Sequence, residues 1–281
     1  MGVVLAPEAR AADEPVTPRV QLRHDLRIDI PATGTLIGAW LTWAALREEI
    51  VGTRCRWCDG EPGEINSVDG WFRDAFRRPQ GEAASVYSHI LAYGVGPAAL
   101  GGLNIAAAIS DRRTDEVSLN VLLATEGTFA ALVVTDGLKT LIARERPEEH
   151  AITDEDERRA TLEKAESLLS FPSGHTTAVF AMTAASGTIA SMRGYRIAPA
   201  IWIAGVTLGI ATAYARIAAD RHYFTDTVAG AAVGLMVGGG VPYLFHRPRT
   251  DTSPVARFMQ GARIGTARIP NGHMLNVMWA F

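Results

Sequence analysis

The chain has 281 residues, enough for one large domain or two small ones. Its net charge of −3 comes without any clustered basic stripe, which excludes a nucleic-acid-binding face, and no internal repeat stands out. Hydrophobic residues make up 48% and charged residues 20%, a balance that fits a soluble or a membrane protein, so the placement of the charges has to decide.

Residues 1–30 are polar, contain Pro15 and Pro18, and read as an N-terminal tail. Ala9-Arg10-Ala11 has the small-x-small form of a signal-peptide cleavage site, but the apolar run before it is too short. Pro31–Leu46 is the first candidate span, with Trp40 and Trp43 suited to a membrane interface. Thr53–Glu82 is a polar loop in which Trp71, Phe72 and Phe76 predict an interfacial segment. Its Cys55-Arg56-Trp57-Cys58 is a disulfide, a redox pair or half of a metal site; a short structural disulfide comes first and two inert thiols second. Ala84–Ser110, Thr176–Met192, Ile197–Ala215 and Thr227–Phe245 carry no Asp, Glu, Lys or Arg, and Val117–Leu138 carries only Glu126 and Asp136. Each is about long enough to cross the roughly 30 Å apolar core of a bilayer as a helix. The tight polar connections are Asp111–Glu116 and Arg193–Arg196, and Glu148–Ser170 is a longer acidic loop with a helix expected within Asp154–Leu168. The expectation is an all-α, polytopic membrane helical bundle with about six transmembrane helices spanning residues 31–246, followed by a tail, 247–281, that forms a short strand or no fixed structure. A soluble all-α core is the alternative, and the long uncharged runs count against it.

Three short motifs carry the chemistry: Lys139–Pro147 (KTLIARERP), Phe171–His175 (FPSGH) and Arg216–Asp226 (RIAADRHYFTD). Together they supply three fixed cations, two histidines and a carboxylate, an inventory for holding a phosphate and passing it through a histidine. His222 is the expected nucleophile, because imidazole attacks phosphorus once its other nitrogen is held. If Asp220–Val228 is helical, Asp226 shares a face with His222 and fixes its tautomer. His175 suits the general acid that protonates the leaving oxygen and later activates water. Ser173 is placed to cap the helix that starts near Gly174, where free backbone N–H groups and the helix dipole favour an anion and the glycine allows close approach. Lys139, Arg146 and Arg216 form the expected phosphate clamp. Arg216 follows an uncharged run of about twenty residues, an expensive position for a charge without work to do. Glu126 and Asp136 read equally as partners for a cation and as helix-packing groups, and His89 as a packed histidine rather than a ligand.

The order Lys-x6-Arg-Pro, Pro-Ser-Gly-His, Arg-x5-His-x3-Asp resembles the type 2 phosphatidic acid phosphatase (PAP2) superfamily, which spans lipid phosphatases, bacterial class A acid phosphatases and vanadium haloperoxidases. The resemblance is specific over about Lys139–Asp226 and architectural elsewhere. It implies a PAP2/haloperoxidase-like core, a metal-independent phosphatase without cofactors, His222 as nucleophile backed by Asp226, and His175 as acid. The family usually has Ser before the third-motif arginine; here it is Ala215, which removes a hydrogen bond at the edge of the site and no catalytic group. The implied activity is that of an integral membrane lipid phosphate phosphatase working through a phosphohistidine. Its partners would be membrane lipids and a lipid phosphate such as undecaprenyl diphosphate, phosphatidic acid, phosphatidylglycerol phosphate or a lipid A phosphate. The alternatives are a soluble-type acid phosphatase or vanadate-dependent haloperoxidase relative, and a catalytically silent lipid-binding or transport protein.

With six spans and a cytoplasmic amino terminus, all three motifs fall on one side, which would be the periplasmic face of a bacterial inner membrane. Arg112, Arg113, Arg193 and Arg196 then lie in inner loops, but Arg73, Arg77, Arg78, Arg158 and Arg159 lie in outer ones, so the positive-inside rule adds little.

Overall fold

A computed structural model describes residues 19–52, 55–58, 64–255 and 257, together with the backbone of two strands at 262–269 and 272–279. Most of the expected N-terminal tail, including Ala9–Ala11, Pro15 and Pro18, lies outside the described residues.

Helix α1 (Leu26–Val51) begins five residues before the expected Pro31. The reason is local: Asp25 is its N-cap and accepts from the Arg27 N–H at 3.0 Å. That cap and the packing of α1 on α5 outweigh the one backbone bond that Pro31 forfeits. Helix α2 (Ser67–Phe76) forms within the polar loop; Trp71 is largely exposed, while Phe72 stacks on Phe224 at 3.6 Å. Helix α3 (Gly81–His89), a π-helical turn (Ile90–Val95) and α4 (Gly96–Ser110) form one continuous column. Then follow α5 (Val117–Ile142), the short α6 (Pro147–His150), α7 (Glu155–Leu162), α8 (Gly174–Arg193) and α9 (Ala198–Ala218). The last column is α10 (Phe224–Val233), a second π-helical turn (Gly234–Gly238) and α11 (Gly239–Phe245). Beyond the bundle, β1 (Ala262–Ile269) and β2 (Gly272–Trp279) pair as an antiparallel hairpin.

The fold is an α-helical, membrane-spanning bundle. Among the described residues, four columns are long and apolar enough to cross a membrane: Gly81–Ser110, Thr114–Ile142, Ala198–Ala218 and Phe224–Phe245. The other two of the six expected spans are α1, which carries Arg27, Asp29, Arg47, Glu48 and Glu49, and α8. Helix α8 is the axle of the bundle, packed by α4, α5, α9, α10 and α11. Its neighbours are protein, so it tolerates Thr176, Thr177, Thr183 and Ser186, all buried. Gly230, Gly234 and Gly238, spaced four apart, bring the last column onto α8 at backbone contact. A Cβ at Gly230 would meet the Ser173 carbonyl oxygen at 2.6 Å, and one at Gly238 the Ala181 Cα at 2.6 Å. That close approach sets the end of α10 carrying Asp226 against the start of α8.

The arginines expected in inner loops are structural. Arg193 pairs with Glu116 at 3.1 Å and donates to Asn120 at 2.7 Å, Arg113 donates to the Arg193 carbonyl at 2.9 Å, and Arg196 pairs with Asp111 at 2.8 Å. Charges used in this way report little about orientation.

Candidate active site

The three motifs converge where the end of α5, the start of α8 and the α9–α10 turn meet. His222 is not helical. Helix α9 stops at Ala218, Asp220 takes a left-handed backbone (φ 58°), and α10 starts only at Phe224. The expected helix over Asp220–Val228 is therefore a turn followed by a helix. Asp220 stabilises the turn by accepting a two-pronged contact from Arg73, with both bonds at 2.6 Å.

His222 is 2% exposed. Its Nδ1 lies 2.7 Å from the Ser170 carbonyl oxygen, and a carbonyl only accepts, so Nδ1 carries the proton and Nε2 keeps the lone pair. The tautomer is thus set by Ser170 rather than by Asp226, whose carboxylate lies 3.5 Å from Nδ1 and acts through its charge. Asp226 is committed elsewhere. It accepts from Arg144 at 2.7 Å, from the Ser170 hydroxyl at 2.5 Å and from the Tyr223 N–H at 2.9 Å, the last as part of the α10 capping box. Burial, and then the charges of Arg216, Arg146 and Lys139, push the His222 pKa well below the ordinary histidine value, so the ring is neutral at neutral pH.

Lys139 lies in the last turn of α5 and donates to the Leu169 carbonyl. Arg146 precedes α6, donates to the Glu166 carbonyl at 2.7 Å and pairs with the Glu166 carboxylate. Arg216 ends α9 and donates to the Ser88 hydroxyl at 3.1 Å, while its Nε is buried with no hydrogen-bond partner among the described residues. A buried guanidinium with an unmet donor is prepared for an anion. Ser173 occupies the N-cap of α8 as expected but does not cap it with its side chain. Its hydroxyl accepts from Thr176 at 3.0 Å and its N–H donates to the Asp226 carbonyl at 3.0 Å. A Cβ on Gly174 would touch the Lys139 side chain at 3.5 Å, so the glycine keeps the floor beside that ammonium open. His175 sits in the first turn of α8; its Nε2 is 2.5 Å from His89 Nδ1, and its ring is 4.9 Å from that of Tyr93.

Several residues here were not legible from the motifs. Arg144, fully buried, bridges Asp226 and Asp69 at 2.7 and 2.9 Å, with its guanidinium over the Tyr223 ring at 3.9 Å and the Trp57 ring at 4.3 Å. Ser170, Ser88 and Glu166 also belong to the site, and His89, expected as a packed histidine, faces His175. Arg144 lies inside the first motif, and an uncompensated arginine in a buried stretch was the available signal. The others are joined only by the fold. Cys55 and Cys58 form a disulfide whose strand-like neighbour Trp57 bridges to Arg144.

Glu166 stands among the clamp cations. Burial favours its protonated form, but Arg146 and Arg47 outweigh that and hold its pKa below the usual range. Its carboxylate therefore occupies Arg146 as an anion would. Glu166→Gln is expected to tighten orthovanadate or phosphate inhibition by about threefold or more, by removing a competing charge a few ångströms away; weaker inhibition would instead make Glu166 a support for Arg146.

Residues 120–250, which include all three motifs, match the family model described as the PAP2 superfamily. A lipid A 1-phosphatase of Porphyromonas gingivalis is 38% identical over 69 residues, which cover 25% of this chain and 15% of that relative. The chain thus spans a small part of the length of the curated relative it matches. The crystal structure of a transmembrane PAP2-type phosphatidylglycerolphosphate phosphatase from Bacillus subtilis aligns with a TM-score of 0.45 and 17% identity, over 74% of this chain and 94% of that one.

An apolar cavity of about 400 Å³ opens between α1, α4, α5 and α8. Trp40, Leu100, Phe129, Leu132 and Met182 line it, and Tyr93 stands at its end nearest His175.

Proposed function

We propose that the chain is an integral membrane lipid phosphate phosphatase that hydrolyses a phosphomonoester or diphosphate of a lipid through a phosphohistidine. The observation that carries this reading is the His222 ring: buried, neutral, pinned at Nδ1 by Ser170, and set among Lys139, Arg146 and Arg216. In the first step the Nε2 lone pair attacks phosphorus and the bond to the lipid oxygen breaks. The leaving oxygen takes its proton from His175. In the second step water attacks the phosphorus, gives a proton to His175, and the P–N bond breaks to release phosphate and restore His222. His89, hydrogen-bonded to His175, holds that ring. The three cations stabilise the equatorial oxygens in both steps, so no divalent ion is required for the chemistry.

The apolar cavity beside Tyr93 supports a lipid substrate, as does the likeness to a lipid A 1-phosphatase. The reading places the site at the periplasmic surface of a bacterial inner membrane. Phosphate release by detergent-purified protein tests it. The panel is undecaprenyl diphosphate, phosphatidic acid, phosphatidylglycerol phosphate and lipid A, with EDTA present. Release from at least one of them is the expected result. Binding of these lipids without release from any would make the chain a silent lipid-binding protein.

A further inference from the structure

A second buried polar cluster lies far from His222, joining three segments that are distant in sequence. Asp29 comes from the first turn of α1, Glu126 from α5 and His246 from the residue after α11. Glu126 is about 20 Å along the α5 axis from Lys139, at ~1.5 Å per residue. The three residues are 6%, 9% and 3% exposed, and one donor atom from each lies within 4.8 Å of the others.

The hydrogen-bond pattern makes this cluster unusual. His246 Nδ1 is 3.1 Å from the Arg23 carbonyl oxygen, so Nδ1 is the donor there and Nε2 faces the carboxylates. That Nε2 lies 3.4 Å from Glu126 Oε2, and neither atom has a hydrogen-bond partner among the described residues. A buried imidazole nitrogen facing a carboxylate, with a second carboxylate nearby, calls for a positive charge between them, which a proton or a metal ion supplies. The spacing fits a metal ion. Two ligand atoms bound tetrahedrally at ~2.0–2.1 Å are about 3.3–3.4 Å apart. A backbone carbonyl holding the far nitrogen is the usual outer support of a metal-bound imidazole. Thr33, one turn after Asp29 on the same face of α1, has a buried hydroxyl with no hydrogen-bond partner among the described residues.

We propose that Asp29, Glu126 and His246 form a structural site for one divalent transition-metal ion of the zinc class, separate from the phosphate site. The donor set of two carboxylates and one imidazole suits such an ion, with Thr33 or water completing four-coordination. The site would tie the start of α1 and the end of α11 to α5. The chain segments around it already pair there: the Arg23 N–H donates to the Arg247 carbonyl at 3.0 Å and the Arg249 N–H to the Gln21 carbonyl at 2.9 Å. The disulfide-bonded Cys55 and Cys58 offer no competing thiolates.

The test uses the full chain in detergent under non-reducing conditions, loaded with zinc, freed of excess ion and assayed for metal content and thermal unfolding. The parent is expected to retain one zinc per chain and to unfold at a lower temperature after EDTA, without losing turnover. Glu126→Gln, nearly isosteric, and His246→Ala are expected to weaken zinc binding by about a hundredfold or more and to lose the EDTA-sensitive shift. His175→Ala reports zinc held by the active-site histidines and is expected to retain the full stoichiometry. A cobalt(II)-loaded parent should show the visible bands of four-coordinate cobalt, and Glu126→Gln should not. A parent that retains no zinc overturns the proposal, as does equal retention by Glu126→Gln. An apo parent whose His246 carries protons on both nitrogens at neutral pH, and which binds no zinc, would also overturn it, because the pair is then an ordinary imidazolium–carboxylate contact.

Discussion

His222→Ala lowers phosphate release by about 10⁴-fold or more, with folded yield close to the parent's. Loss of a covalent nucleophile removes a step that the clamp alone does not replace, so the expected effect is on kcat and is very large. The folding cost is small by comparison, because the ring lies in a turn and makes one hydrogen bond, to the Ser170 carbonyl. The check is turnover measured beside the thermal unfolding midpoint in the same detergent. A variant that folds and still turns over at near-parent rate removes His222 from the chemistry.

The second large effect concerns a residue that touches no phosphate. Among the described residues, Arg144 pairs with two buried carboxylates, Asp69 at 2.9 Å and Asp226 at 2.7 Å. The side chains in both pairs are 0% exposed. Arg144→Met keeps most of the volume and leaves both carboxylates without their cation. Breaking a buried ion pair by removing one partner costs about 3–5 kcal/mol. The thermal midpoint should therefore fall steeply, and activity with it, because Asp226 anchors Ser170 and the start of α10. Pairing Arg144→Met with Asp69→Asn should recover part of the loss, since one uncompensated charge is gone. An unchanged midpoint in Arg144→Met would show that water or another group meets those carboxylates.

The contrast between these two residues explains what was legible in the sequence. His222, His175 and the three clamp cations stand at fixed spacings within motifs, and local spacing survives in one dimension. The partners that set their states do not. Ser170 takes the role expected of Asp226, because the turn at Asp220 and the capping box at Tyr223 rotate the Asp226 carboxylate toward Arg144 and the Ser170 hydroxyl. That rotation depends on backbone detail that a helical reading of residues 220–228 misses. Asp69 lies on a loop helix far from Arg144 in sequence, and no local pattern links them. The columns of the bundle were readable as uncharged runs, and α8 was drawn as a span like the others. In the structure, α8 is covered by protein on most sides, so its buried threonines bond to Ser173 and to carbonyls of the preceding turn instead of facing lipid. The start of α1 was misplaced because the span was drawn as an uncharged run, which Asp29 interrupts, whereas in the folded chain the cap at Asp25 decides. The Asp29–Glu126–His246 cluster shows the same limit. Glu126 was visible as an odd charge in an apolar run, but its two companions come from opposite ends of the chain.

The measurement that bears most directly on the central claim is trapping of the phosphoenzyme. Detergent-purified protein is mixed with a ³²P-labelled lipid phosphate that it hydrolyses, quenched in base within seconds, digested and mapped. The account predicts acid-labile, base-stable label on the peptide containing His222, absent from His222→Ala and chased by unlabelled substrate. Rapid phosphate release with no label on His222, under conditions that preserve a phosphohistidine, would contradict it and point to direct attack by water.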